Sequence, residues 1–244
     1  MRHVDDPLRH VDDPFDGIVA SMAAFVVGRQ PLDQTLTHVA ALARDAVAGA
    51  DYAAVTTLRD GRAETTVATD PMITEIDQAQ YDADSGPCLD AFRTAETTRM
   101  VSTEEDARWP EFGRVAAAHG VHSTLSLPLL FDGDGVGALN LYSRRHRHFS
   151  EADASLAARF AEPAAALVVN ALLFWEARDL ADNLQTALAG RAVIDQAKGI
   201  LMGQQRVDAD AAFDMLRRAS QRENVKLRDI AQRVVDRATG RPAG

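Results

Sequence analysis

Few residues in this 244-residue chain have side chains suited to chemistry. The single cysteine, Cys88, follows Gly86-Pro87. A place at a helix N-terminus would let the helix dipole lower the pKa of its thiol and favour the thiolate. Cys88 is therefore a candidate for redox or ligand sensing. The alternative, which we favour, is that it packs as a small apolar side chain in the loop.

The remaining residues do not form a recognisable active site. His119 and His122 lie three apart and His146 and His148 two apart, without an acidic or cysteine partner at a spacing typical of zinc. Nucleophile-elbow, phosphate-loop and dinucleotide motifs are missing from the sequence. Residues 1–197 contain no lysine, which excludes lysine-dependent phosphate loops, Schiff bases and phospho-receiver sites there. We expect no enzyme, no metal and no cofactor. An enzyme with Cys88 as nucleophile is a weak alternative, since no His-Asp or His-Asn signature accompanies it.

Basic residues are concentrated at the C-terminal end. Residues 184–244 hold 11 Arg and Lys against 7 Asp and Glu, a net charge of +4, whereas residues 1–183 hold 15 against 29, a net charge of −14. This asymmetry predicts a basic module that contacts a polyanion, and ordinary scatter of surface charge is the alternative. Arg191 and Lys198 share a helix face, and phosphate contact needs such cations without matching anions nearby.

Periodicity predicts two parts of different architecture. The first is an α/β domain with a largely antiparallel sheet flanked by helices. Its predicted elements are a helix from Phe15, a helix over 32–47, strands over 52–58 and 63–69, short helices near 72–79 and over 88–94, a strand over 98–102, a helix ending near His119, and strands over 123–131 and 136–142. The seven-residue repeat before Phe15 predicts a disordered segment over 1–14.

A long helix is predicted from a Ser150 cap. Its apolar stripe predicts a coiled coil and a parallel dimer, although a helix packed on its own domain is the alternative. The stripe consists of Leu173, Ala177, Leu180, Leu184 and Ala187. The helix is predicted to continue to Gln204 and to be followed by two more. One starts at Asp208 and buries Ala212, Phe213, Leu216 and Ala219, and the other buries Leu227, Ile230, Ala231 and Val234 before Gly240.

Several segments carry a family resemblance. In the C-terminal part these are Leu184–Arg191 (LQTALAGR), Ile194–Met202 (IDQAKGILM), Ala211-Ala212-Phe213, Leu216–Ser220 (LRRAS) and Asn224–Ala231 (NVKLRDIA). Over residues 184–239 this pattern resembles the ANTAR family. The N-terminal part contains the segments Gly86–Leu89 (GPCL), Arg108–Pro110 (RWP) and Gly137–Leu141 (GALNL). Through these segments, residues 15–172 resemble the GAF domains that are joined to ANTAR modules in actinobacteria.

The resemblance implies an RNA-binding transcription antitermination regulator. Its ANTAR module would bind paired small-loop hairpins in nascent leader RNA and prevent terminator formation, and family members usually act as dimers. The RNA-face candidates at matching positions are Gln196, Lys198, Gly199, Arg217, Ser220, Asn224 and Lys226, with Arg191 and Arg218 as phosphate contacts. Gly190 stands where a serine is common in the family. A DNA-binding regulator of the helix-turn-helix type is the alternative.

We therefore expect a GAF domain joined by a long coiled-coil helix to an all-α three-helix ANTAR bundle. The expected boundaries are 1–14 for the repeat, 15–172 for the GAF sensory domain, 173–190 for the linker helix and 191–240 for the ANTAR domain. Expected partners are RNA stem-loops in nascent transcripts, a second copy of the chain through the coiled coil and GAF domain, RNA polymerase nearby, and a small-molecule or protein effector at the GAF domain. The sequence shows no leader and no membrane span, so we expect a cytoplasmic protein without a membrane partner.

Overall fold

A computed structural model describes residues 17, 20–22, 24–59 and 62–240. The N-terminal repeat, the start of the first predicted helix and the Asp60-Gly61 turn lie outside these residues. The chain divides into two compact units, Met1–Trp175 and Glu176–Gly244.

The first unit is built on an antiparallel sheet. The described strands are β1 (Tyr52–Arg59), β2 (Arg62–Ala68), β3 (Thr98–Met100), β4 (Ser123–Phe131) and β5 (Asp134–Ser143), in the order β2-β1-β5-β4-β3. The helices are α1 (Leu32–Ala46), α2 (Pro71–Asp82), α3 (Pro87–Thr94) and α4 (Pro110–Ala118). The predicted fold class is confirmed, and the elements that the structure describes from Leu32 onward follow the predicted order. Asp70 caps α2 by accepting a hydrogen bond from the Met72 N–H at 2.9 Å.

Two apolar clusters cover the two faces of this sheet, because successive strand residues point to opposite faces. One cluster packs α1 and the start of the long helix over 151–205 against the sheet. It includes Leu36, Val39, Leu139, Phe160 and Val168. The other packs α2 and α4 through Ile73, Ile76, Phe112 and Tyr142. Leu139 and Tyr142 of the same strand therefore belong to different clusters, and the unit is a three-layer sandwich with its sheet in the middle.

The long helix α5 (Glu151–Gln205) begins in the first unit and ends in the second. Its N-terminus has the predicted cap, since the Ser150 hydroxyl accepts from the Asp153 N–H at 3.2 Å and the Asp153 carboxylate accepts from the Ser150 N–H at 2.8 Å. In the described residues it is the one helix long and apolar enough to cross a membrane. That corrects the expectation of no such stretch. Half of its apolar window is buried, as in the core helix of a folded domain, so the evidence for a span is weak.

The second unit packs the end of α5 against α6 (Ala209–Glu223) and α7 (Leu227–Thr239). Both helices have the predicted ends: the Asp208 carboxylate accepts from the Ala211 N–H at 2.8 Å, and Gly240 ends α7 with φ of +72°. The core consists of Ala197, Leu216, Ile230, Ala231 and Val235. One core prediction is wrong. The Phe213 side chain is 38% exposed, because it lies at the edge of the α5–α6 contact.

Candidate functional site

A groove runs along the second unit where α5, α6 and α7 meet. Its volume is about 550 Å³. It is lined by Asn183, Thr186, Ala187, Gly190, Arg191, Ile194, Asp195, Lys198, Phe213 and Arg228. Eight of these residues come from α5 at spacings of one, three and four, so a single helix face forms one wall. Phe213 comes from α6 and Arg228 from the first turn of α7.

Three cations line this groove, and two of them share a carboxylate. Arg191 and Lys198 lie on one face, as their spacing predicts. The Asp195 carboxylate is 4.0 Å from Arg191 Nε and 3.6 Å from Lys198 Nζ. The expectation of cations without nearby anions is therefore wrong here. Because the Arg191 and Asp195 side chains are 83% and 59% exposed, the contact is weak and leaves the cations available to a polyanion.

Phe213 gives the groove an exposed aromatic surface. Lys198 Nζ lies 6.0 Å from the centroid of its ring, at the outer limit of a cation–π contact. An aromatic ring beside cations can accept a stacked base while the cations hold phosphates. Sequence reasoning assigned Phe213 to the core because it falls on the apolar stripe of α6, and it did not single out Arg228 for this site.

The glycines of α5 are not required for close packing of the helices in this unit. A Cβ added at Gly190 would lie 3.9 Å from Arg228 Cβ, which is ordinary van der Waals contact, so a serine would fit there. A Cβ at Gly199 would meet nothing within 4 Å. Gly199 is therefore not needed for close helix packing, whereas Ala197 is fully buried, so its small side chain does let the helices pack closely.

Four further candidates lie on the surface outside the groove lining. Arg217 pairs with Asp214 at 2.9 Å. Arg218 lines a separate groove of about 340 Å³ with apolar residues of all three helices. Gln196 on α5 and Lys226 before α7 are exposed. In the described part of the chain, neither Arg218 nor Lys226 has an acidic partner within ion-pair distance.

Ser220 and Asn224 hold the turn between α6 and α7. The Ser220 hydroxyl donates to the Val225 carbonyl at 2.6 Å, and the Val225 N–H donates to the Ser220 carbonyl at 3.1 Å. Asn224 has φ of +52°, a left-handed conformation that asparagine tolerates better than most residues. These two side chains are therefore positioned to orient α7 and its Arg228.

Cys88 lies in the first unit, at the second position of α3. The structure corrects the expectation of a lowered thiol pKa. Burial, with a smaller contribution from the Asp77 charge, raises the pKa of the Cys88 thiol to about 12. The side chain is 1% exposed and accepts a hydrogen bond from Asn140 Nδ2 at 3.3 Å. The desolvation of the thiolate outweighs the helix dipole, so Cys88 is a protonated packing residue.

A buried hydrogen-bond chain connects Cys88 to Asp77. Asp77 accepts from Tyr142 at 2.6 Å, Thr65 at 2.7 Å and Gln80 at 2.8 Å. Since Thr65 gives its one proton to Asp77, it accepts from Tyr81 at 2.8 Å. The same reasoning makes Tyr81 accept from Thr56 at 3.0 Å and Thr56 accept from Cys88 at 3.5 Å. The hydroxyls therefore point in one direction, toward Asp77.

Asp77 is the carboxyl group of this hydrogen-bond network, and its pKa is shifted from the ordinary value. Burial raises its pKa from 3.8 to about 6, against the three hydrogen bonds, which lower it. Its carboxylate thus sits at the end of a polar network inside the second apolar cluster.

A pocket of about 540 Å³ reaches this network from outside. It lies between β2, α2 and α3, and Tyr81 forms part of its wall. Its charged lining residues are Arg62, Glu64, Asp82, Asp84 and Arg93. Arg93 also binds the Asp84 carboxylate and carbonyl, which ties α3 to the preceding loop. Cys88 lines a neighbouring cavity of only about 10 Å³, too small for an organic ligand.

The first unit also brings together three side chains that could hold a metal ion, Glu104, His122 and His146. Sequence spacing gave no sign of this cluster, because its members come from three separate segments. His119 and His148, which lie close to these histidines in the sequence, are not part of the cluster.

Comparison with known proteins identifies both units. The GAF domain family model matches residues 29–169, and the ANTAR domain family model matches residues 182–235. No curated protein matches the chain in sequence.

Solved structures give the fold of the first unit. The GAF domain of a phosphoenolpyruvate-protein phosphotransferase from Coxiella burnetii is 17% identical with a TM-score of 0.50, and the match covers 66% of this chain and 94% of that one. A similar domain from Acinetobacter is 14% identical with a TM-score of 0.49, covering 65% and 92%. A free methionine-R-sulfoxide reductase from Neisseria meningitidis is 16% identical with a TM-score of 0.49, covering 65% and 88%. At 17% identity the likeness to the Coxiella burnetii domain concerns fold alone.

Proposed function

Because this chain belongs to the GAF family and carries an ANTAR domain, we propose that it is an RNA-binding transcription antitermination regulator. An ANTAR domain is an RNA-binding antitermination module and a GAF domain is a sensory domain, and both are regulatory rather than catalytic. In the proposal, the ANTAR domain binds paired small-loop hairpins in nascent leader RNA and thereby prevents the terminator hairpin from forming. The protein would work in the cytoplasm, close to RNA polymerase.

The observation that carries this proposal is the groove with Arg191, Lys198 and Arg228 around the exposed ring of Phe213. Single-stranded loops of RNA expose base faces that stack on aromatic side chains, and their phosphates attract arginine and lysine. A groove that combines one ring with three cations provides both interactions at once. The net charge of +4 over residues 184–244 adds a long-range attraction to the RNA.

The structure suggests different roles for the candidate residues. In the proposal Arg191, Lys198 and Arg228 hold phosphates and Phe213 stacks on a loop base. Ser220 and Asn224 act through the α6–α7 turn. The surface residues Gln196, Gly199, Arg217, Arg218 and Lys226 would contact RNA that extends beyond the groove.

Two hairpins in one leader call for two ANTAR domains, which a dimer supplies. Leu173, Leu180 and Leu184 of the predicted coiled-coil stripe are 56–60% exposed, and Leu188 beside it is 68% exposed. Such a row of exposed leucines is costly in water and favours pairing with a second copy of the helix.

Dimer formation is tested by Leu180→Glu, which places a charge in the stripe, with Gln185→Glu as the control off the stripe. We expect sedimentation equilibrium to give a dimer for the wild type and for Gln185→Glu, and a dissociation constant at least about tenfold higher for Leu180→Glu. An unchanged dissociation constant for Leu180→Glu would remove the stripe from the interface.

The GAF domain is proposed to receive the signal. The pocket beside Tyr81 can take a small polar effector, since it is lined by charges of both signs. Contact with Tyr81 would disturb the hydrogen bonds that lead to Thr65 and Asp77. A protein effector, or a GAF domain that only dimerises, is the alternative. An enzyme with Cys88 as nucleophile is disfavoured, because burial keeps that thiol protonated.

The proposed function is tested with a random pool of RNA hairpins and a random pool of duplex DNA at two salt concentrations. We expect paired small-loop hairpins to be enriched and their affinity to fall as salt rises. Selective enrichment of duplex DNA would contradict the proposal. It would favour a helix-turn-helix regulator, for which the short turn between α6 and α7 is the supporting feature.

A further inference from the structure

Glu104, His122 and His146 form a compact cluster at one end of the GAF sheet. Their ligand atoms, one carboxylate oxygen and two imidazole nitrogens, all lie within 4.8 Å of one another. We propose that these three side chains bind one divalent transition-metal ion of the zinc class. The site is separate from the groove of the ANTAR domain and from the pocket beside Tyr81, and the proposal does not depend on RNA binding.

Backbone hydrogen bonds bring the three segments of the site together. The turn that carries Glu104 is attached to the start of β4, because the Thr103 N–H donates to the His122 carbonyl at 3.0 Å. The His122 N–H donates to the Ser143 carbonyl at the end of β5 at 2.8 Å. The turn that carries His146 is fixed by the Arg147 N–H, which donates to the Val101 carbonyl at 2.9 Å. The backbone is therefore in place before any ion binds.

The side chains face one another within this frame. His122 Nδ1 lies 3.7 Å from a Glu104 carboxylate oxygen, and the rings of His122 and His146 stack with their centroids 4.0 Å apart. In the described part of the chain, His122 Nδ1 is buried and has no hydrogen-bond partner. A buried polar atom without a partner is unfavourable, and a metal ion at this point would satisfy it.

The ligand types favour zinc over calcium or magnesium. Imidazole nitrogen with one carboxylate suits zinc and its neighbours in the first transition row, whereas calcium and magnesium prefer oxygen ligands alone. Ligand atoms around one such ion lie roughly 3.3 Å apart, since each bond is about 2 Å long. Glu104 and His146 are exposed and can close the remaining distance by side-chain rotation. Three protein ligands leave at least one position for water.

Two further potential ligands outside the cluster, Glu105 and His119, are paired with other groups. Glu105, the neighbour of Glu104, is bound by the Arg147 guanidinium. His119 lies 3.5 Å from Glu75 and offers a pair of ligands without a third, which makes it a matched control.

The test is a zinc titration of the full-length protein against a chromophoric chelator, with His146→Gln and Glu104→Gln as site variants and His119→Gln as control. We expect the wild type and His119→Gln to bind one zinc ion per chain with the same affinity. Each site variant should lose at least about tenfold in affinity. His146 and Glu104 are exposed, so both variants should fold, which circular dichroism checks.

Cobalt substitution gives a second readout. The wild type should show the visible absorption of cobalt with nitrogen ligands, and His146→Gln should lose it. His3 and His10 are unchanged in every variant, so metal held there would persist. The proposal is overturned if the site variants keep the wild-type affinity, or if His119→Gln loses as much as they do.

Discussion

The two domains of this protein differ in where they keep their polar side chains. In the GAF domain Asp77, Cys88, Asn140 and Tyr142 are at most 1% exposed and hydrogen-bonded in two pairs, Asn140 to Cys88 and Tyr142 to Asp77. In the ANTAR domain Arg191 and Asp195 are mostly exposed and only weakly paired. Removing one side chain from a buried hydrogen-bond network lowers the stability of the domain. Exposed cations can instead exchange bound water for a ligand with little loss of stability. We therefore propose structure and signal transfer for the first set and ligand binding for the second.

The largest expected effect comes from removing the acceptor of the buried network. Asp77→Ala leaves the donors of Tyr142, Thr65 and Gln80 without their partner, at about 1–3 kcal/mol for each buried donor. We expect the free energy of unfolding to fall by at least about 3 kcal/mol, the lower end of the sum over three donors. Both tryptophans, Trp109 and Trp175, lie in the GAF unit, so their fluorescence follows its denaturation. Lys198→Ala should change this value by less than about 0.5 kcal/mol. An equal loss for Lys198→Ala would contradict the difference between the two domains.

The charge of Asp77 should also make the GAF domain less stable as pH rises. Its pKa is 3.8 in the unfolded chain and about 6 in the folded one, so the folded state binds more protons between these values. The contribution of Asp77 to the free energy of unfolding should therefore be highest below pH 4 and fall by about 3 kcal/mol by pH 6 to 7. Asp77→Asn lacks this titration. The check is the difference between wild type and Asp77→Asn across pH, and a constant difference would contradict the buried charge.

Reversing two charges of the ANTAR groove should weaken RNA binding and leave the fold intact. For Arg191→Glu combined with Lys198→Glu we expect hairpin affinity to fall about 100-fold, because two phosphate contacts become repulsions. Arg237→Glu in α7, which reverses one charge outside the groove, is the control, and a change below about threefold is expected. Affinity is measured by fluorescence anisotropy at low salt. Equal losses in both variants would mean that overall charge, not the groove, binds RNA.

The smallest expected effect concerns the ring of Phe213. Phe213→Ala should lower hairpin affinity about tenfold, since stacking of one base on an aromatic side chain is worth about 1–3 kcal/mol. Met215→Ala on the same helix removes a side chain with similar exposure, 40% against 38%, and should leave affinity unchanged. Both variants should keep the thermal stability of the wild type. A large drop in stability for Phe213→Ala would mean that Phe213 packs in the core and does not serve RNA binding.

Local sequence patterns predicted most of the architecture. Apolar spacing gave α1 and its buried Leu36 and Val39, and β-forming residues gave β4 with the observed ends. Capping residues such as Asp208 and Gly240 marked helix ends, because their hydrogen bonds and backbone angles are local. The face shared by Arg191 and Lys198 followed in the same way from helical spacing.

The features that sequence could not supply depend on contacts between distant segments. Phe213 repeats with the apolar stripe of α6, but the distance between helices leaves its ring exposed. Cys88 stands at a helix N-terminus, yet its surroundings bury it against Thr56 and Asn140. Glu104 lies beside His122 only because a turn is folded back onto the start of β4. In each case the environment, not the neighbouring sequence, sets the property.

We propose that the ANTAR groove prevents termination by binding RNA. The direct measurement is single-round transcription in vitro on a template that places the selected paired hairpins before a terminator. We predict that the wild-type protein increases read-through, that Arg237→Glu does the same, and that Arg191→Glu combined with Lys198→Glu does not. Read-through that is unchanged by the wild type, or that survives the double charge reversal, would contradict the account.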